Sequence, residues 1–278
     1  MSHRPVPTYL AEQNPHPRDP FIEFDEGPHI YTVHGEGGYT SVTTWNHSHF
    51  SHFDANKIVS QILASPKMRT DPTYKYYGKT REQILGEWDA NRDQASGAGT
   101  SMHYDIECYY NQMPVNNDSI EFRFFRQFVV DMARDPSTKY LVPYRTEWMV
   151  YYEELKISGS IDMVFEDSRD GTLHIYDWKR CREIKYEDTF GGRSAVTACI
   201  RHLPDTNYWH YALQLNTYRA ILQAKYGKRV ETLYLVCLHP DNPMKTYERI
   251  EVPIMDREIA ALVDYRRATL STTGVQPI

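Results

Sequence analysis

The chain reads as an α/β protein in which helices flank a central mixed β-sheet. Three observations predict this. Helix signals with 3.6-residue spacing recur between residues 54 and 134. Three runs rich in β-branched and aromatic residues follow, at 144–152, 157–165 and 173–178. A helical stretch then separates these runs from a further strand at 232–238. At 278 residues the chain is long enough for one large domain with a substantial core.

The elements follow in order. Residues 1–20 hold five prolines and show no periodicity, which predicts a disordered tail. Ile30-Tyr31-Thr32-Val33 and Tyr39-Thr40 flank His34-Gly35-Glu36-Gly37-Gly38, the pattern of a small hairpin. Asp54 is an N-cap for a helix with Ile58, Val59, Ile62 and Leu63 on one face before Pro66. Thr80 and Gln83 form a capping box opening a helix that buries Ile84, Leu85 and Trp88. Gly97 and Gly99 suit a tight turn into a helix carrying His103 and Glu107 one turn apart. Asp118 and Glu121 repeat the capping device ahead of a stripe of Phe122, Phe125, Val129 and Met132. After Pro143 the period changes to that of strands, with Asp170-Gly171 as a hairpin turn between the second and third. Tyr211, Leu215, Tyr218 and Leu222 share a helix face, 246–252 adds a strand, and 255–270 is helical. The division expected is a tail at 1–20, an N-terminal hairpin and helical layer at 21–95, and a core at 96–278.

Composition narrows the function classes. The formal net charge is −6 and the pI about 6.1, so bulk charge does not announce a nucleic-acid coat protein. It leaves room for an enzyme whose carboxylates gather around a metal. Mean hydropathy is −0.63 and no apolar stretch is long enough to cross a bilayer, so no membrane partner is expected. The start of the chain has no apolar h-region, which predicts an intracellular protein that is not secreted. Cys108, Cys181, Cys199 and Cys237 stand apart with no C-x-x-C pair, so reduced thiols are expected and a zinc ribbon is not. His47, His49 and His52 lack the cysteine or second pair that a zinc reading needs.

The chemistry lies in the strands. In Tyr176-Asp177-Trp178-Lys179, alternation puts Asp177 and Lys179 on one face and Trp178 on the other. A carboxylate and an ammonium so placed can hold a divalent metal and assist a water beside it, but an exposed ion pair has the same pattern. Asp162 sits inside Ile161-Asp162-Met163-Val164-Phe165, where an ionised group needs a cation. If the Asp170-Gly171 hairpin forms, Asp162 and Asp177 share a metal from neighbouring strands. Glu147 in Thr146-Glu147-Trp148-Met149 is another acid in an apolar strand, with a salt bridge to Arg145 or a lysine as the equal alternative. His103 reads as a ligand or as a satisfied helical histidine. Gln214 and Tyr218 are i,i+4 neighbours on an amphipathic helix.

Taken in order, Gly-x-x-x-His, then Glu, then Gly-x-x-Asp, then Asp-x-Lys, then Gln-x-x-x-Tyr resembles the RecB-like exonuclease branch of the PD-(D/E)XK nuclease superfamily, over residues 99–218. Upstream, Gly38-Tyr39-Thr40-Ser41-Val42-Thr43 and Tyr76-Tyr77-Gly78-Lys79-Thr80 are similar to exonucleases of phages and large DNA viruses and to the mitochondrial genome maintenance exonuclease. The resemblance implies a PD-(D/E)XK nuclease core with a central mixed β-sheet. It implies His103, Asp162, Asp177 and the backbone carbonyl of Trp178 as ligands of Mg²⁺ or Mn²⁺. Lys179 would orient or activate the attacking water and stabilise charge on the phosphate, and Glu147 would be an auxiliary acid. Gln214 and Tyr218 would hold the nucleic-acid backbone at the edge of the site. Asp177 stands where glutamate is commoner, an accepted variant. The cysteines of the iron–sulfur relatives have no counterpart, so no cluster is expected.

A hard divalent ion suits this chemistry, because it lowers the pKa of water and offsets charge on a phosphodiester. Residues 177–201 carry six Lys/Arg, Arg180 and Arg182 among them, against four Asp/Glu, a basic segment where a phosphate backbone would pass. Lys75, Tyr76 and Tyr77 interleave a cation with aromatics, as a stacking platform for single-stranded DNA would, and equally as a buried aromatic cluster would. The expectation is a metal-dependent deoxyribonuclease acting on single-stranded or free-ended DNA in replication, recombination or repair. A catalytically silent DNA-binding protein of the same fold and a structure- or sequence-specific endonuclease are the alternatives.

Overall fold

A computed structural model describes residues 4–188 and 191–272. In chain order the elements are α1 (Tyr9–Gln13), β1 (Ile22–Asp25), β2 (Ile30–Val33), β3 (Thr40–Ser41), α2 (Val42–His47), α3 (Ala55–Ala64), α4 (Lys67–Thr70), α5 (Arg81–Tyr110), α6 (Ile120–Arg134), β4 (Leu141–Tyr152), β5 (Ile157–Asp167), β6 (Leu173–Lys179), α7 (Asn207–Lys225), β7 (Val230–Cys237), β8 (Glu248–Val252) and α8 (Asp256–Thr272). The expected α/β class with a mixed sheet is what forms. No helix among the described residues is long and apolar enough to cross a membrane.

Contacts divide the chain into two units, residues 52–102 and all the rest. The boundaries therefore differ from a simple N-terminal layer over 21–95: the hairpin belongs to the larger unit, and the smaller one is helical. Within the smaller unit, Asp54 Oδ1 accepts the Lys57 N–H at 3.0 Å as the N-cap of α3. Thr80 and Gln83 exchange the two bonds of a capping box at 2.8 and 3.3 Å. The α5 helix then continues unbroken through Gly97 and Gly99 and into the larger unit at His103. Sequence reasoning expected a turn at those glycines. Glycine in a helix costs only about 1 kcal/mol, and thirty residues of continuous hydrogen bonding outweigh it.

In the larger unit β5 is the spine of the sheet. Along one edge it pairs antiparallel with β4 from Ile157 to Asp167. Its other edge takes two strands in succession: β3 runs parallel at Ile157 and Ser158, and β6 antiparallel at Met163 to Glu166. Residues 159–162 of that edge lie between the two. β6 then pairs parallel with β7, and β7 antiparallel with β8. The Asp170-Gly171 turn forms as expected, with Gly171 at φ 74° and Asp170 Oδ1 accepting from the Thr172 backbone. Trp178 and Tyr176 pack against Phe125 and Phe128 of α6. Ile161, Ile175 and Leu235 belong to the main core with Leu215, Tyr218 and Leu222 of α7.

Three expectations are corrected by these observations. The hairpin joins β1 to β2, from Ile22 opposite Val33, while residue 40 runs beside β5, its N–H donating to the Lys156 carbonyl at 2.9 Å. The chain pairs back only at Val33 and Glu36, around left-handed His34 and Gly35, and left-handed Gly38 then leads it toward β3. The helix after Asp118 is capped by Ser119, whose Oγ accepts the Phe122 N–H at 3.2 Å. The stretch expected as a disordered tail is docked over residues 9–20, while residues 1–3 lie outside the described residues. Leu10 is buried, and the Asp19 carboxylate takes Arg145 at 2.7 Å and the Trp148 indole N–H at 3.0 Å. Proline-rich composition hid this anchor, because one leucine and one carboxylate leave no periodic signal.

Candidate metal centre

Three side chains from three elements converge beside the open stretch of β5. Asp162 lies just before β5 meets β6, so the Trp178 N–H finds no backbone partner on β5 and donates to Asp162 Oδ2 at 2.9 Å. His103, from the last third of α5, places Nδ1 3.5 Å from Asp162 Oδ2 and 3.9 Å from Glu147 Oε1. Glu147 comes from β4, where the register passes from Thr146↔Met163 to Trp148↔Ile161 and brackets Glu147 opposite Asp162. Its backbone is left-handed at φ 41°, a conformation that costs a non-glycine residue of order 1 kcal/mol or more. Ser160 Oγ donates to Glu147 Oε2 at 2.7 Å and holds the carboxylate in place. One ligand atom from each of His103, Glu147 and Asp162 can be chosen so that all lie within 4.8 Å of one another.

Asp177 and Lys179 stand beside this trio as an ion pair, Oδ2 to Nζ 2.6 Å. Asp177 Oδ2 is buried and accepts no well-aimed hydrogen bond, so the ammonium compensates it through charge. Here the geometry departs from the ligand set that the resemblance implies. Glu147 is inside the cluster of candidate donors, while Asp177 is turned to Lys179. The ammonium also lies over the Tyr211 ring, 4.4 Å from its centroid.

Burial and neighbouring charge set the direction in which these groups are displaced. Burial, then the Asp177 carboxylate, push Asp162 well above the ordinary carboxylate range. Burial works to lower His103, but Asp162 and Glu147 outweigh it and raise the imidazole to about 9. Burial opposes the Lys179 ammonium too, yet Asp177 and Asp162 leave its proton held more firmly than usual. Glu107, one turn beyond His103, is raised to about 8 by burial and by Glu147. Sequence reasoning saw its i,i+4 spacing but gave it no role.

Tyr218 of α7 is buried in the main core, and Gln214, one turn before it, is half-buried. A Cβ placed on Gly159 would meet Tyr218 Oη at 2.8 Å and Cε1 at 3.0 Å, so the glycine exists at this point to admit the ring. Arg180 Nε is committed to Glu121 Oε1 at 2.7 Å, and Arg182 is exposed. The basic segment they begin includes Thr189 and Phe190, which lie outside the described residues. Within the smaller unit, Tyr76 accepts the Trp88 indole N–H at 3.1 Å, Lys75 lies 5.3 Å from the Tyr76 ring centroid, and Tyr77 is exposed.

The donor set fits a hard divalent cation: two carboxylates and an imidazole, with a third carboxylate alongside. The crowding that raises the affinity of Asp162 for a proton is what such a cation would relieve.

No protein-family model matches the chain, and no curated protein does. Among solved structures, the chain is similar to a putative exonuclease from Eubacterium rectale, with a TM-score of 0.35 and 13% identity over 84% of this chain and 79% of that one. Likeness of that degree carries no argument about the site.

Proposed function

We propose that the protein is a metal-dependent deoxyribonuclease with a PD-(D/E)XK core of the RecB-like exonuclease branch, acting on single-stranded or free-ended DNA. The observation that carries the reading is the convergence of His103, Glu147 and Asp162 next to the Asp177–Lys179 pair, each from a separate element. Three acids and an imidazole gathered at one half-buried spot are a donor set that a shared divalent cation would satisfy.

His103, Glu147 and Asp162 would hold Mg²⁺ or Mn²⁺, with Asp177 and the Trp178 carbonyl alongside. The ion, when bound, supplies a water of lowered pKa and neutralises phosphate charge. Lys179, held against Asp177, would stabilise charge building on the phosphate and orient or activate the attacking water. Asp177 positions that ammonium. Half-buried Gln214, one turn before the buried Tyr218, would shape the edge where a backbone would lie, and exposed Arg182 offers a phosphate contact.

The test is digestion of end-labelled linear and closed circular single-stranded DNA with Mg²⁺ or Mn²⁺ titrated in. Linear DNA should be consumed and circles spared. Asp162→Ala should abolish both cleavage and calorimetric Mn²⁺ binding. Lys179→Ala should slow single turnover by orders of magnitude while leaving DNA affinity nearly unchanged. DNA binding without cleavage at any metal concentration would replace the proposal with a catalytically silent binding protein, and equal loss of circles would make the enzyme an endonuclease.

A further inference from the structure

Two thiols stand together where the lysine-bearing strand ends. In the parallel pairing of β6 with β7, Lys179 is opposite Cys237, and the Leu238 N–H donates to the Lys179 carbonyl at 2.9 Å. Cys181 follows two residues beyond the end of β6, and its Sγ lies 3.8 Å from Cys237 Sγ. Both are free thiols, Cys181 half-buried and Cys237 buried. We propose that Cys181 and Cys237 form a peroxide-sensitive dithiol that closes to an intramolecular disulfide. The inference does not depend on the nuclease reading.

Geometry favours closure over further oxidation. A disulfide needs the sulfurs at about 2.05 Å, so the gap must shrink by roughly 1.8 Å. Cys237 is fixed in a paired strand, but Cys181 lies beyond the last ladder residue of β6, where the backbone can move without breaking the sheet. Access favours the same order of events. Cys181 is the more exposed sulfur, and its hydrogen bond to Cys237, then the Lys179 ammonium, draw the thiol below the ordinary cysteine range against the effect of burial. Cys237 is buried and so the less accessible of the two to an oxidant.

The chemistry balances with hydrogen peroxide as the two-electron oxidant. The Cys181 thiolate attacks one peroxide oxygen. An S–O bond forms, the O–O bond breaks, and hydroxide leaves to become water on taking up the thiol proton. Cys237 sulfur then attacks the sulfenic sulfur, losing its proton to solvent, and the S–O bond breaks with release of a second water. Two thiols and one peroxide give one disulfide and two waters. The product would clamp the segment leaving Lys179 to the end of β7.

The full chain, treated with a small excess of hydrogen peroxide and then with N-ethylmaleimide, should lose about 2 Da before labelling. It should take up two maleimides where the reduced protein takes four under denaturing conditions. Non-reducing peptide mapping should show the Cys181 and Cys237 peptides joined, and dithiothreitol should separate them. Cys181→Ser and Cys237→Ser should each abolish the 2 Da loss, and Cys199→Ser should preserve it. Oxygen addition on Cys181 with no cross-link, full maleimide uptake after peroxide, or a cross-link that survives Cys181→Ser would each overturn the proposal.

Discussion

Gly159→Ala tests whether the close approach of β5 and α7 at this site is as tight as the structure has it. The new methyl would stand 2.8 Å from Tyr218 Oη, 3.0 Å from Cε1 and 3.3 Å from Cζ. An approach of 2.8 Å is roughly half an ångström inside ordinary carbon–oxygen contact. Tyr218 is 3% exposed and belongs to the main core, so its ring has little room to retreat. Overpacking of this kind costs about 1–3 kcal/mol. Tyr218→Phe removes the nearest atom and leaves the ring carbons, so the same alanine should then cost about 1 kcal/mol less. The assay is urea denaturation of the wild type, both single variants and the double variant, without added metal. Linear extrapolation of the four curves gives the coupling energy. An alanine cost that is equal in both backgrounds would refute the contact, whatever its absolute size.

Glu107 predicts a pH dependence. Its carboxyl is raised in the folded state, so the stability it contributes is full below the ordinary carboxylate range and is lost as pH climbs toward about 8. Glu107→Gln should therefore be more stable than wild type at pH 8, by about 2 kcal/mol once solvent screening is allowed for, and indistinguishable near pH 4.5, as read from urea midpoints. Asp19→Ala should cost about 2–3 kcal/mol, because it leaves the buried Arg145 guanidinium without its carboxylate, though still bonded to the Asn14 carbonyl, and the Trp148 N–H without its acceptor. Asp19→Asn, which keeps a carbonyl for the indole, should recover part of that loss in the same assay. Replacing both Tyr76 and Tyr77 by alanine should weaken single-strand DNA binding by tenfold or more in fluorescence anisotropy at fixed salt. A folded double variant with unchanged affinity would return these rings to a structural role.

What the sequence revealed follows from where each signal is stored. The strands of the sheet were legible because β-branched and aromatic runs bounded by Asp170-Gly171 are local. So was the Thr80–Gln83 capping box, which depends on residues three apart. The pairing of residue 40 with β5 was not legible, since a two-residue parallel contact across more than a hundred positions has no period. Nor was the docking of Asp19 onto Arg145 and Trp148. At the site, Asp162, Asp177, Lys179 and His103 could be singled out by residue type and order. The pairing of Asp177 with Lys179, and the placing of Glu147 by a left-handed residue within β4, are matters of backbone geometry that no spacing encodes.

The parallel pairing of β6 with β7 has a consequence for biosynthesis. β6 spans Leu173–Lys179 and buries every residue from Leu173 to Trp178, but the strand that covers one of its edges is 230–237, more than fifty residues later. A ribosome-bound chain that has just exposed β6 can form the antiparallel pair with β5 at once. Its other edge must wait, an apolar and aromatic ladder with free amides and carbonyls, until α7 and β7 have emerged. That interval is when two nascent copies would zip together, and a chain truncated between residues 180 and 229 would keep the sticky edge permanently.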